Sequence, residues 1–305
     1  MAKFIKKGLK WIGIVIGSLL GILLVALTTI YVLSIVRLQK SYTIPPTTLT
    51  VPTDAASIAE GQRQFFTRGC IDCHGENGAG KMVVNDPLLG TIMGSNLTPG
   101  QGGVGQLYQA ADWERAIRHG VGYDGRPLVI MPSHEYNPIN DEDLSAIMAY
   151  VASLPPVDQE RAPLSLGPLG RILHVSGMLT VVPAEVIDHT APRPATVARA
   201  ATKEYGAYLA KTCTGCHGAT LSGGPIPGVP SDGPAPRNLT PDATTGIGAW
   251  QEADFVTAIR TGVRPDGSQL STAMPWPAFQ QMTDEELQAL WLYLQSVPAK
   301  PYGNR

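Results

Sequence analysis

No cysteine is spare in this 305-residue sequence. All four lie in two copies of one five-residue pattern, Cys70-Ile71-Asp72-Cys73-His74 and Cys213-Thr214-Gly215-Cys216-His217. None remains for a separate disulfide or a cysteine nucleophile. Charge is sparse too, at 16% of residues, and the 26 residues from Trp11 to Val36 carry none. An excess of base is also missing. Six of the 23 lysines and arginines fall in residues 1–40, where there is no Asp or Glu; 17 then face 25 acidic residues in the remainder. No basic patch for nucleic acid is seen, and an acidic soluble part suits a partner with a basic docking face.

The uncharged stretch is long. At about 1.5 Å per residue a helix over Trp11–Val36 reaches roughly 39 Å, enough to cross a ~30 Å hydrocarbon core. A cleaved signal peptide has a shorter apolar region and then a small-x-small site; no such site follows here. Residues 1–40 therefore read as an uncleaved, single-pass anchor. Lys3, Lys6, Lys7 and Lys10 precede the apolar stretch, against Arg37 and Lys40 after it. The N-terminus should stay cytoplasmic, with the rest on the periplasmic or extracellular side of a bacterial inner membrane. Residues 41–53 (SYTIPPTTLTVPT) read as a stiff tether.

The remainder repeats itself. The two Cys-x-x-Cys-His motifs are 143 residues apart. Asn96-Leu97-Thr98-Pro99 returns as Asn238-Leu239-Thr240-Pro241, Ala116-Ile117-Arg118 as Ala258-Ile259-Arg260, Met131-Pro132 as Met274-Pro275, and Asp141-Glu142-Asp143-Leu144 as Asp284-Glu285-Glu286-Leu287. One period in two copies means duplicated domains, not a solenoid. They are expected over 54–157 and 196–300, joined by a connector, 158–195, apolar enough to pack on them. Both read as mostly helical. Ser57-x-x-Glu60 and Thr283-x-x-Glu286 are capping-box patterns. Leu144, Ile147, Met148 and Val151 form a helical stripe, repeated by Leu287, Leu290, Trp291 and Leu294. Between these helices lie Gly- and Pro-rich loops without a period, long enough to require that something other than the chain fills each core.

Cys-x-x-Cys-His is the attachment signature of haem c. Two thiols one helical turn apart add to the two vinyl groups, and the following His supplies the proximal imidazole. A thioredoxin-type redox pair needs no His and a βαβ context. A zinc site from four cysteines would leave both histidines unexplained. The expectation is two covalent haems c, held by Cys70, Cys73 and His74 and by Cys213, Cys216 and His217. A methionine sulfur is the usual sixth ligand of an electron-transfer haem. Met131 lies 57 residues after His74, and Met274 lies 57 after His217. That matched spacing selects these two, since Met82, Met93, Met148 and Met282 have no counterpart. His119, His134, His174 and His189 are unmatched as well. Arg118 and Arg260 are open to two readings, a propionate partner or a plain helix charge. The Asn-Leu-Thr-Pro copies read as loop structure near the haem edge, and Trp276 as a docking or a packing residue.

With these motifs in place the chain resembles the membrane-anchored dihaem cytochromes c. The resemblance implies a mostly α chain, an N-terminal transmembrane helix followed by two tandem class I cytochrome c-like domains. The second copy is similar to cytochrome c subunits of bacterial membrane-bound alcohol and gluconate dehydrogenases and to dihaem cytochromes of respiratory complexes. It implies an electron carrier rather than an enzyme, since both axial positions are filled. Implied partners are a quinol-oxidising complex, an oxidase or a dehydrogenase, with another cytochrome or a soluble redox carrier as a further candidate. Such dehydrogenase subunits usually carry three haem domains and this chain has two, which favours a respiratory or photosynthetic role. The alternative is a dihaem enzyme of the cytochrome c peroxidase type, which needs an iron with an open site.

Overall fold

The computed structural model describes residues 2–226 and 235–305. It opens with α1 (Ala2–Leu38), in which Lys7–Leu38 is long and apolar enough to cross a membrane. Most of α1 is exposed among the described residues; Leu20 is 60% and Leu24 66% exposed. Its last turns differ, and Ser34 is fully buried.

Each repeat is built on one crossing of two helices. In the first, α2 (Ala55–Thr67) packs on α6 (Asp141–Ser153). In the second, α8 (Lys203–Leu209) packs on α12 (Asp284–Ser296). A Cβ at Gly61 would overlap the Ala146 carbonyl, and one at Gly206 the Ala289 carbonyl. Glycine is thus what lets these backbones touch. The apolar stripes lie inward at the crossings: Leu144 and Leu287 are fully buried. Between the paired helices come the short α3 (Ile71–His74) and α9 (Lys211–His217), then α4 (Ala110–His119) and α10 (Glu252–Thr261), then the one-turn α5 (Ser133–Tyr136) and α11 (Trp276–Phe279).

Thr283 and Glu286 make the expected capping box on α12. The start of α2 departs from expectation. Asp54, not Ser57, is the N-cap, and its carboxylate accepts from the Ser57 amide at 2.9 Å and hydroxyl at 2.8 Å. Glu60 is drawn away to Arg63 and Arg199.

One unexpected feature lies in the first repeat. A hairpin of β1 (Met82–Asp86) and β2 (Gly90–Met93) is joined by β3 (Ser165–Leu166), with Gly90 opposite Leu166. Nearly all of β1 is exposed on both faces, so it shows no apolar alternation. After β3 the connector forms α7 (Pro168–Val175), which packs on α1, and then buries Val181, Val182 and Ala184. Residues 41–53 also lie along the first repeat: Tyr42 and Ile44 join the Val181 cluster, and Leu49 and Val51 join that of Leu144.

The two repeats meet through equivalent positions. Arg63 and Tyr208 each lie two residues past the crossing glycine; Asp143 and Glu286 are each the third residue of the last helix. Arg63 donates to Glu286 at 2.6 Å and Tyr208 donates to Asp143 at 2.6 Å. The contact is therefore quasi-two-fold.

Candidate haem sites

The local chain prepares the histidines. Cys70 and Cys73 lie one turn apart, with His74 closing α3. The His74 Nδ1 lies 2.8 Å from the Ser95 carbonyl, and the His217 Nδ1 2.6 Å from the Arg237 carbonyl. A carbonyl only accepts, so Nδ1 carries the proton and Nε2 keeps its lone pair. Burial lowers both imidazoles from their ordinary value, which favours the neutral form a metal requires. These carbonyls belong to a repeated lock. Asn96 Oδ1 accepts from the Thr98 amide and hydroxyl, while its Nδ2 donates to Val157 at 2.7 Å. Asn238 does the same with Thr240 and donates to Lys300 at 2.7 Å. The Asn-Leu-Thr-Pro loops thus tie the residue beside each imidazole carbonyl to the tail after each last helix.

The thiols do not look like a redox pair. Burial pushes Cys70 and Cys213 up to about 12 and raises Cys73 and Cys216 as well. A disulfide oxidoreductase needs the opposite shift. Among the described residues no three His, Cys, Asp or Glu side chains gather as a metal cluster would, which weighs against zinc.

Both methionines sit in one geometry. The Met131 carbonyl accepts from the Ser133 amide at 2.7 Å, and that of Met274 from the Trp276 amide at 2.7 Å. The prolines between them adopt φ −78°, ψ 52° and φ −77°, ψ 47°. These are matching inverse γ-turns. Ile130, just before Met131, has φ 65°, a conformation a β-branched residue rarely takes. Cys213 and Met274 pack against one core cluster. Cys70 and Met131 pack on two clusters that share Trp113, and Tyr136 donates to the Arg68 carbonyl at 2.9 Å, joining the Met131 segment to the approach to Cys70.

A cytochrome c family model matches residues 58–155 and 204–298, more than half of the chain. The chain belongs to the cytochrome c family. The cytochrome c subunit of a quinone alcohol dehydrogenase from Gluconobacter oxydans is 31% identical over 277 residues, covering 82% of this cytochrome and 56% of that subunit. The fructose dehydrogenase cytochrome subunit of Gluconobacter japonicus is 37% identical over 114 residues, 35% of this chain and 23% of the relative. A diheme cytochrome c-type protein of Cereibacter sphaeroides is 25% identical over 273 residues, 79% of this chain and 86% of that one. The chain spans about half the length, or less, of the dehydrogenase subunits it matches.

For a cytochrome c the donor set fits haem. Each repeat has two thiols in helical register, an imidazole with its Nδ1 tethered, and a methionine on a matching turn. Trp276 adds a buried ring N–H with no partner among the described residues; its ring packs over Gly262, where a Cβ would stand 2.6 Å from it. The two arginines are already engaged. Arg118 is buried against Glu114 at 3.2 Å and Asp141 at 2.6 Å, and Arg260 donates to Asp284 at 2.6 Å. Each fastens its third helix to the start of the last.

Sequence reasoning missed two contacts. His119 and His189 stand Nδ1 to Nδ1 at 2.8 Å, joining α4 to the connector. Glu135, on α5, lies against Gly215 inside the second Cys-x-x-Cys-His, where any Cβ would overlap its carboxylate. The first methionine segment is thereby seated on the second attachment helix. The signal for this was one glycine inside a motif whose interior positions are otherwise free.

Proposed function

We infer that this cytochrome carries two covalent haems c and passes electrons between a membrane-bound dehydrogenase and a downstream oxidant. Cys70 and Cys73, and Cys213 and Cys216, would form the thioethers. His74 and Met131, and His217 and Met274, would be the axial ligands. Haem c supplies an iron that alternates between ferrous and ferric, at a potential raised by methionine ligation. The chain's own part is to hold each imidazole by a fixed carbonyl, to present each sulfur on a rigid turn, and to keep the two sites in one body through the α5–α9 contact. The observation that carries the reading is the identical His-to-Met spacing in both repeats, each Met on the same turn.

The dehydrogenase partner is drawn from the relatives, and it shifts the emphasis from a respiratory or photosynthetic chain. Residues 1–40 would anchor the protein in the bacterial inner membrane with both domains outside the cytoplasm. The peroxidase reading gains no support from two sites of one ligand pattern or from relatives named as cytochrome subunits.

The test is extraction of native membranes in mild detergent and recovery through this chain, with haem c counted against protein. Two haems per chain and a stoichiometric dehydrogenase are the expected outcome. One haem per chain would overturn the dihaem assignment. Recovery with oxidase or quinol-oxidising subunits alone would overturn the dehydrogenase assignment.

A further inference from the structure

The geometry points to a lipid seat on the first domain: α7 and the turn at Leu88 rest in the headgroup–acyl boundary beside the exit of α1. This rests on α1 spanning the membrane.

The height of α7 along α1 is fixed by named contacts. Arg171 donates to the Ser34 hydroxyl at 3.2 Å, and its guanidinium stands 4.4 Å over the Tyr31 ring. Arg37 donates to the carbonyls of His174 at 2.9 Å and Val175 at 3.4 Å, and pairs with Glu185. The two helices therefore run alongside in the same sense, with the start of α7 towards the membrane. Tyr31 to Arg37 climbs about 9 Å at helical rise. The Ser34–Arg171 and Arg37–His174 contacts share one offset in sequence, so Leu169 stands about level with Val32, where α1 is still without charge. The Leu88 carbonyl accepts from the Leu169 and Gly170 amides at 2.9 and 3.2 Å, which sets the β1–β2 turn at the same level.

That stratum presents apolar side chains that the chain does not cover. Leu88 is 57%, Leu169 38% and Ile172 38% exposed. The Asp86 Oδ1 accepts from the Leu88 and Leu89 amides, each at 2.8 Å, so the turn satisfies these two backbone donors itself. Arg171 stands where a basic residue with an apolar stem meets both acyl chain and phosphate. Continuity with the exposed apolar face of α1 selects lipid as the occupant. A helix so placed buries its apolar side about 5–10 Å into the boundary. The first domain would then rest on the bilayer at a fixed tilt instead of swinging from a tether.

The test uses full-length holoprotein in vesicles of phosphatidylethanolamine and phosphatidylglycerol doped with a phospholipid bearing an acyl-chain diazirine. After photolysis, lipid adducts are mapped by peptide mass spectrometry. Adducts are expected on α1 and on the peptides carrying Leu88 and residues 168–172. Leu169→Glu with Ile172→Glu should cut the second set by about tenfold or more, given the cost of charge at that depth, with α1 adducts and the visible spectrum unchanged. Adducts confined to α1 would overturn the seat and leave the anchor standing. A chain that washes off the vesicles with no α1 adduct would overturn the anchor, and the seat with it.

Discussion

The interface between the repeats can be measured through Asp143. Its side chain is 3% exposed and accepts from Arg68 at 2.9 Å, Gln64 at 2.8 Å, Arg199 at 2.7 Å and Tyr208 at 2.6 Å. Burial alone would raise this carboxyl; Arg68 and the hydroxyl of Tyr208 hold it below the ordinary value. Asp143→Asn leaves the Arg68 guanidinium, itself 7% exposed, without its counter-charge. Removing one partner of a buried pair costs about 3–5 kcal/mol. Tyr208→Phe removes one bond to a charged acceptor, about 1.5–3 kcal/mol. Because the two groups share that bond, the double variant should cost less than the sum, with a coupling of about 1–2 kcal/mol. Denaturant unfolding of the four proteins, followed by far-UV circular dichroism, gives the cycle. The carboxyl's depressed value means its contribution is present above the unfolded value of about 3.9 and is lost as pH falls below it. Acid sensitivity in that range should be smaller in Asp143→Asn, by the share this carboxyl contributes. Additivity within about 0.5 kcal/mol would refute the interface as described.

Met131→Ala and Met274→Ala should each remove half of the weak far-red absorption that marks sulfur on ferric haem, and lower the potential of one site; an unchanged spectrum strikes that methionine from the ligand set. Gly61→Val and Gly206→Val force apart helices that touch by backbone, and each should cost about 1–3 kcal/mol in thermal unfolding, or more; a neutral result would mean that the crossing relaxes freely. Burial pushes Glu135 up to about 7. A raised carboxyl destabilises the fold once ionised, so stability should fall as pH rises from about 4 towards 7. Glu135→Gln should flatten that slope, and a persisting slope assigns it to another group.

The stripes on α6 and α12 and the repeat itself were legible because packing two helices imposes a period on the sequence. So was the Met-Pro pairing, in which the fixed φ of proline suits the centre of an inverse γ-turn. Other features write no such mark. The partners of His74 and His217 are backbone carbonyls of Ser95 and Arg237, and any residue supplies one. Strand β1 is solvated on both faces, and the pairing of its partner β2 with β3 spans the chain from 90 to 166. Asp54 competed with Ser57 for the cap of α2, and three-dimensional contacts of Glu60 decided between them. Arg118 could be placed on its helix but not against Asp141, which a loop brings to it.

The Asn-x-Thr lock has a consequence for speed. A group that gains and loses a charge is slowed by whatever must turn to greet the new charge. Here the dipole facing each imidazole is a peptide carbonyl next to Asn96 or Asn238, and that asparagine is bound to its own loop and to the chain beyond the last helix. The dipole is already aimed, and cannot swing without breaking several bonds. For haems held by these imidazoles, little rearrangement would be left to accompany each oxidation and reduction, so the frame that holds the fold closed would also lower the nuclear barrier to electron exchange.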